Sequence, residues 1–227
     1  LGGWRLIPGM LGVSALAALA IALPMIPATR AEPPASARPF MPDLLRLLRN
    51  RQFLAVTLTL AGGSSTLYLF LSSAAFLLHD FGLSESQSGL CFLVVAATSI
   101  AGTRLVGPLG RRTDAVLAGV GLILSGATIE LALALVGVTG PAALIAPMML
   151  VGLGAGVVGP SAISILLYVE EGLAGTATSI AGATQMLASG VATVAFAQFA
   201  PVSPLRLAIA LAIAASGAFA GAIARRS

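Results

Sequence analysis

Lysine is absent from these 227 residues, and cysteine and histidine occur once each. Without lysine there is no Schiff base to retinal or pyridoxal, and no phosphate-loop lysine. With Cys91 alone, neither an internal disulfide nor a thiolate metal cluster can form. Charge is scarce too: Asp, Glu, Lys and Arg make up 9% of the chain, against about 25% in a soluble domain. Hydrophobic residues reach 58% and mean hydropathy is +1.02. A soluble fold needs a charged surface that this composition cannot supply. A soluble enzyme, a nucleic-acid binder and a disordered chain are therefore excluded. The net charge of +4 belongs instead to arginines at the ends of membrane spans.

What is present is a series of uncharged runs, among them 6–29, 52–79, 131–169 and 172–205. A bilayer core takes roughly 20 apolar residues per helix. Seven spans fit, at about 6–26, 52–78, 86–106, 115–138, 142–169, 173–199 and 205–224. Pro and Gly clusters separate them: Gly107-Pro108 with Gly110 closes the third, and Thr139-Gly140-Pro141 breaks the longest run. The runs are continuously apolar and do not alternate, which favours helices over barrel strands. The expected fold is an all-α polytopic membrane protein with seven transmembrane helices.

All twelve basic residues are arginine. Ten of them fall at one set of span ends: Arg30, Arg38, Arg46, Arg49, Arg51, Arg104, Arg111, Arg112, Arg225 and Arg226. Arg5 and Arg206 fall at the other. This asymmetry places the long first loop and the C-terminus in the cytoplasm and the N-terminus outside. Within that loop, residues 43–49 read Asp-Leu-Leu-Arg-Leu-Leu-Arg. The pattern is amphipathic and suggests a short helix on the inner membrane surface, leucines down and arginines toward anionic headgroups.

Few side chains can carry chemistry. Glu130 is the one acidic residue inside a span, and an intramembrane carboxylate is a candidate proton relay; the bland alternative is local pairing or snorkelling. The second span carries Thr57, Ser64, Ser65, Tyr68 and Ser72 at helical spacing. Gly62-Gly63-Ser64-Ser65 should weaken that helix locally, as in interrupted transporter helices. The stripe either lines a cavity for an amphipathic molecule or glues helices together. The same choice applies to Gln185 and Ser189 in the sixth span, and to Ser164 and Tyr168 in the fifth. Gly152 and Gly156 allow close helix approach in the fifth span, where Pro160 should produce a kink. His79 reads as a helix-end residue. No intramembrane Asp pair, His-rich metal cluster or Ser-His arrangement occurs, so neither an enzyme nor a metal or other cofactor is expected.

Four stretches resemble the second half of a major facilitator transporter, and more closely the bicyclomycin-resistance-type (Bcr/CflA) drug:proton antiporters. They are Gly3-Trp4-Arg5; Ser72-Ser73-Ala74-Ala75-Phe76 before Phe81-Gly82-Leu83-Ser84; Gly152-Leu153-Gly154-Ala155-Gly156 with Gly159-Pro160-Ser161-Ala162; and Ala174-Gly175-Thr176-Ala177-Thr178-Ser179. The resemblance implies helices six to twelve of that fold, with 1–26 the last helix of the N-terminal half, 27–51 a basic cytoplasmic linker and 52–227 the C-terminal six-helix bundle. It implies proton-coupled multidrug efflux by alternating access in a bacterial inner membrane. The partners would be a small amphipathic organic substrate, protons, the lipid bilayer and an N-terminal half missing from this chain, without which the chain would not transport. Where the family often carries an acidic-basic pair, this chain has Gly107-Pro108. A seven-helix receptor and a non-transporting truncated membrane polypeptide are the alternatives.

Overall fold

The computed structural model describes residues 6–25, 40–199 and 201–226. Gly3-Trp4-Arg5 and most of the first loop, including Arg30 and Arg38, lie outside the described residues. Those described form eight helices and no strand. Helix α1 (Leu6–Ala22) belongs to one compact unit, 1–39, and the other seven to a second unit, 40–227. These seven are α2 (Phe40–Arg49), α3 (Arg51–Asp80), α4 (Glu85–Arg112), α5 (Ala115–Leu135), α6 (Pro141–Leu166), α7 (Ala174–Ala197) and α8 (Pro204–Ala224). Helices α3 to α8 are each long and apolar enough to cross a membrane, and α1 is a shorter apolar helix. The all-α membrane architecture read from the uncharged runs is therefore the observed one.

Polar side chains start the helices where amides would otherwise be bare. Asn50 accepts from the backbone N–H groups of Gln52 (3.0 Å) and Phe53 (3.1 Å). Ser84 and Gln87 form a reciprocal capping box at α4. Asp114 caps α5 by accepting from the Leu117 N–H, and Ser203 caps α8 by accepting from the Arg206 N–H. Two helix ends close on a glycine in the left-handed region: Gly82 (φ 83°) after α3 and Gly137 (φ 75°) after α5. The next residue's N–H then reaches back, Leu83 to the Leu78 carbonyl and Val138 to the Leu133 carbonyl.

Helix α3 is the hub, packed against α6, α7 and α8. Small residues let backbones meet, as membrane helices require in the absence of a hydrophobic drive between them. A methyl group on Gly62 would lie 2.7 Å from the Ala214 carbonyl oxygen of α8, and one on Gly221 would lie 2.7 Å from the Ala55 carbonyl oxygen of α3. Gly119 and Gly126 of α5 meet α6 in the same way. The close approach expected of Gly152 and Gly156 is the contact between α6 and α4, where Val95 and Thr98 face Gly152 and Ser99 and Gly102 face Gly156. Phe70 and Phe92 join α3 to α4 edge-to-face, their centroids 6.1 Å apart.

Helix α3 and the ends of α4, α5 and α6 differ from the sequence reading, α5 stopping at Leu135. Helix α3 is continuous across Gly62–Ser65, because close packing of Gly62 on α8 replaces what glycine loses in propensity. Helix α4 runs through Pro108 to Arg112. Proline there costs the Arg104 carbonyl its helical donor, but the backbone around it is exposed and the end is held by the Thr113 N–H on the Leu109 carbonyl (2.7 Å). Helix α6 ends at Leu166, so Tyr168 sits in the turn beyond it.

Asp114, Arg225 and Arg226 meet at one end of the bundle. The Arg225 guanidinium bonds the Asp114 carboxylate, and Arg226 Nε lies 3.2 Å from Asp114 Oδ2. Partial burial pushes the Asp114 carboxyl up, but the Leu117 N–H and the two guanidinium groups outweigh it and hold it below the usual 3.8. The start of α5 is thereby stapled to the end of α8. At the same end Asn50 Nδ2 donates to the Val169 carbonyl (3.2 Å) and to Glu170 Oε2 (3.4 Å), tying the start of α3 to the turn after α6.

Candidate functional site

A cavity of about 420 Å³ opens between α3, α4 and α6, with single residues of α5 and α7 closing it. Its walls are mostly apolar, supplied by Leu60, Leu67, Ile100, Ile123, Val158 and Ile163. Five side chains bring polar atoms to it: Ser64 and Tyr68 from α3, Ser99 and Thr103 from α4, and Gln185 from α7. An apolar chamber with a few placed polar groups is the usual form of a small-molecule site.

The helices reach this arrangement for local reasons. Ser64 and Tyr68 are four residues apart and share a face of α3. Ser99 Oγ donates across the helix contact to the Gly152 carbonyl at 2.9 Å, which fixes α4 against α6 at the cavity wall. Pro160 has no N–H, so the Gly156 carbonyl, also at the cavity, lacks its helical donor. The cavity therefore offers hydroxyls and one amide inside an apolar chamber. That set suits an amphipathic guest with an aromatic or hydrogen-bonding part, since the Tyr68 ring can stack and its hydroxyl can bond.

The other sequence candidates are placed elsewhere. Ser65 is buried on the opposite side of α3, in an apolar groove of about 410 Å³ with α7 and α8. Ser189 lines a neighbouring groove that Tyr68 also reaches, and its hydroxyl donates to the Gln185 carbonyl. Ser72 is exposed, and its hydroxyl donates to the Leu69 carbonyl. Ser164 and Tyr168 are exposed and lie outside the main cavity. Thr57 is buried, its hydroxyl without a hydrogen-bond partner among the described residues. Ser99 and Thr103 were missed by sequence reasoning. Their four-residue spacing on the third span was the available signal.

Glu130 is also outside the cavity. It continues the buried face of α5 formed by Gly119, Ile123 and Gly126, a face that packs on α6. It is 4% exposed, and Oε2 finds no hydrogen-bond partner among the described residues. Fifteen residues separate it from Ala115, roughly 22 Å along the helix. No ion pair to Glu130 occurs among the described residues, where the ion pairs are those of Asp114. A buried unpaired carboxyl group is costly in such a setting.

Among the described residues no group of three or more His, Cys, Asp or Glu side chains could hold a metal ion. A sequence model described as Major Facilitator Superfamily matches residues 1–193. No curated protein matches the chain.

Proposed function

The chain belongs to the major facilitator superfamily, and from that premise we propose that α3–α8 form the C-terminal half of a proton-coupled exporter of small amphipathic organic compounds. Members of the superfamily are membrane transporters rather than enzymes, so the broad activity follows from membership and from the six spans. That membership also favours a transporter over the receptor reading. The finer reading rests on one observation, the 420 Å³ cavity that combines apolar walls with Ser64, Tyr68, Ser99, Thr103 and Gln185. A strongly hydrophilic substrate would leave that apolar lining unmatched, whereas an amphipathic one satisfies both parts.

Within this proposal Tyr68 stacks on the substrate, and Gln185 and Ser64 orient it. Proton coupling falls to Glu130, a carboxyl group inside a span and outside the substrate chamber. The arginine-rich end of the bundle faces the cytoplasm of a bacterial inner membrane, following the arginine asymmetry.

The test is accumulation of a fluorescent lipophilic cation in a pump-deficient host expressing the intact transporter that carries this half. Expression should lower accumulation, a protonophore should restore it, and Tyr68→Ala or Gln185→Ala should weaken the effect with the protein still inserted. Export that ignores the protonophore would remove the proton from the proposal. Export unaffected by both substitutions would remove the cavity.

A further inference from the structure

Helix α2 has three distinct sides. Asp43, Leu44, Leu47 and Asn50 share one of them, turned toward the bundle. Leu47 there is 0% exposed and belongs to the hydrophobic core, while Asn50 is bonded to Val169 and Glu170. The helix is therefore fastened to the bundle at a fixed rotation. The second side carries Met41, Leu45 and Leu48, which remain exposed at 61, 48 and 45%. Arg46 and Arg49 form the third, with Arg51 following, and all three are exposed. None of the three makes an ion pair among the described residues, where the ion pairs are those of Asp114.

An exposed leucine stripe beside unpaired arginines is stable neither in water nor in hydrocarbon. It is matched where the two meet, at a membrane surface that offers apolar chains on one side and negative charge on the other. Position agrees with this, since α2 leads within two residues into α3, the first span of the bundle. Zwitterionic headgroups would satisfy the leucines but leave the arginines without a net counter-charge. We propose that α2 is a binding site for anionic phospholipid: Met41, Leu45 and Leu48 enter the acyl boundary, and Arg46 and Arg49 hold the phosphate-bearing headgroups. The inference needs a membrane-spanning bundle and does not depend on the substrate or on proton coupling.

Trp4 is the only tryptophan, so Trp4→Phe combined with Leu48→Trp gives one reporter on the exposed stripe. The full chain is reconstituted into vesicles of phosphatidylcholine mixed with phosphatidylglycerol, one lipid brominated at a time, and quenching measures which lipid sits at α2. Brominated phosphatidylglycerol should quench more than its mole fraction predicts. Arg46→Gln with Arg49→Gln should lower that preference by up to about thirtyfold, toward parity, at about 1 kcal/mol per arginine. Arg46→Lys with Arg49→Lys keeps the charge and should retain it, and 1 M salt should weaken it. Equal quenching by the two lipids without the arginine substitutions would overturn the proposal, as would loss of the preference in the lysine variant. Quenching by neither lipid would mean that water, a second copy or another protein segment covers this face, and would also refute it.

Discussion

Replacing Gly156 by alanine places a methyl group 2.9 Å from the Ser99 carbonyl carbon and 3.1 Å from the Gly102 Cα, and nearer still to the Ser99 carbonyl oxygen. Ordinary carbon contacts begin at about 3.5 Å, and every atom met is backbone. No side chain can rotate away, so α4 and α6 must separate by roughly 0.5–1 Å. Overpacking of this kind costs about 1–3 kcal/mol. The separation also stretches the 2.9 Å bond from Ser99 Oγ to the Gly152 carbonyl, worth about 0.6 kcal/mol in a membrane protein. Alanine's helix propensity returns up to about 1 kcal/mol. The net loss is therefore about 1–2.5 kcal/mol. Gly159 is one turn further along the same helix and also lines the cavity, but a methyl group there meets nothing within 4 Å. Gly159→Ala should then be neutral or stabilising by up to about 1 kcal/mol. Unfolding of the purified protein in mixed micelles, titrated with a denaturing detergent and followed by circular dichroism, compares the two. Equal shifts of the same sign would refute the reasoning, because the same propensity change would then outweigh the difference in contact.

Asp114→Ala removes both a cap and the partner of two arginines, and should cost about 2 kcal/mol, with Asp114→Asn costing less because asparagine still caps. The Asp114 carboxyl is held below 3.8, so its contribution is complete above that pH and is lost as pH falls through the lower folded value. Detergent-unfolding midpoints should therefore drop more steeply below pH 3.8 in the parent than in Asp114→Asn. Glu130→Met replaces a buried unpaired carboxyl group by an apolar chain of similar length; stability should rise by about 1–2 kcal/mol in the same assay while proton-coupled export is lost. Unchanged export by Glu130→Gln would end its role as a relay. Gln185→Leu should weaken binding of a fluorescent lipophilic cation about fivefold or more in nanodisc titrations, whereas Ser164→Ala, outside the cavity, should leave it unchanged.

The proposed lipid site on α2 and the α3–α4–α6 cavity stand at different depths of legibility. The amphipathic pattern of residues 43–49 is local, so the helix and its leucine and arginine faces could be read directly. That Leu47 turns inward while Leu45 and Leu48 stay out required the bundle, because all three are equally apolar. The polar stripe of α3 shows the same division. Its spacing placed Ser64 and Tyr68 on one face, but not Ser65 on the far side, where α7 and α8 bound a separate groove.

By itself the sequence determined the membrane class and the positions of the six long spans, because hydrocarbon admits little backbone other than apolar helix, but it did not show that α4 runs through Gly107-Pro108 to Arg112. It also marked Glu130 and Gln185 as unusual, since polar groups in such spans are rare. Tertiary structure alone decided which polar residues converge. Helix rotation is set by the close Gly62–Ala214, Gly102–Leu153 and Gly156–Ser99 approaches, and those contacts pair residues far apart in the chain. A span apolar on every side carries little periodicity to reveal its inner face, so the cavity, the isolation of Glu130 and the Asp114–Arg225 staple could emerge only once the helices had packed.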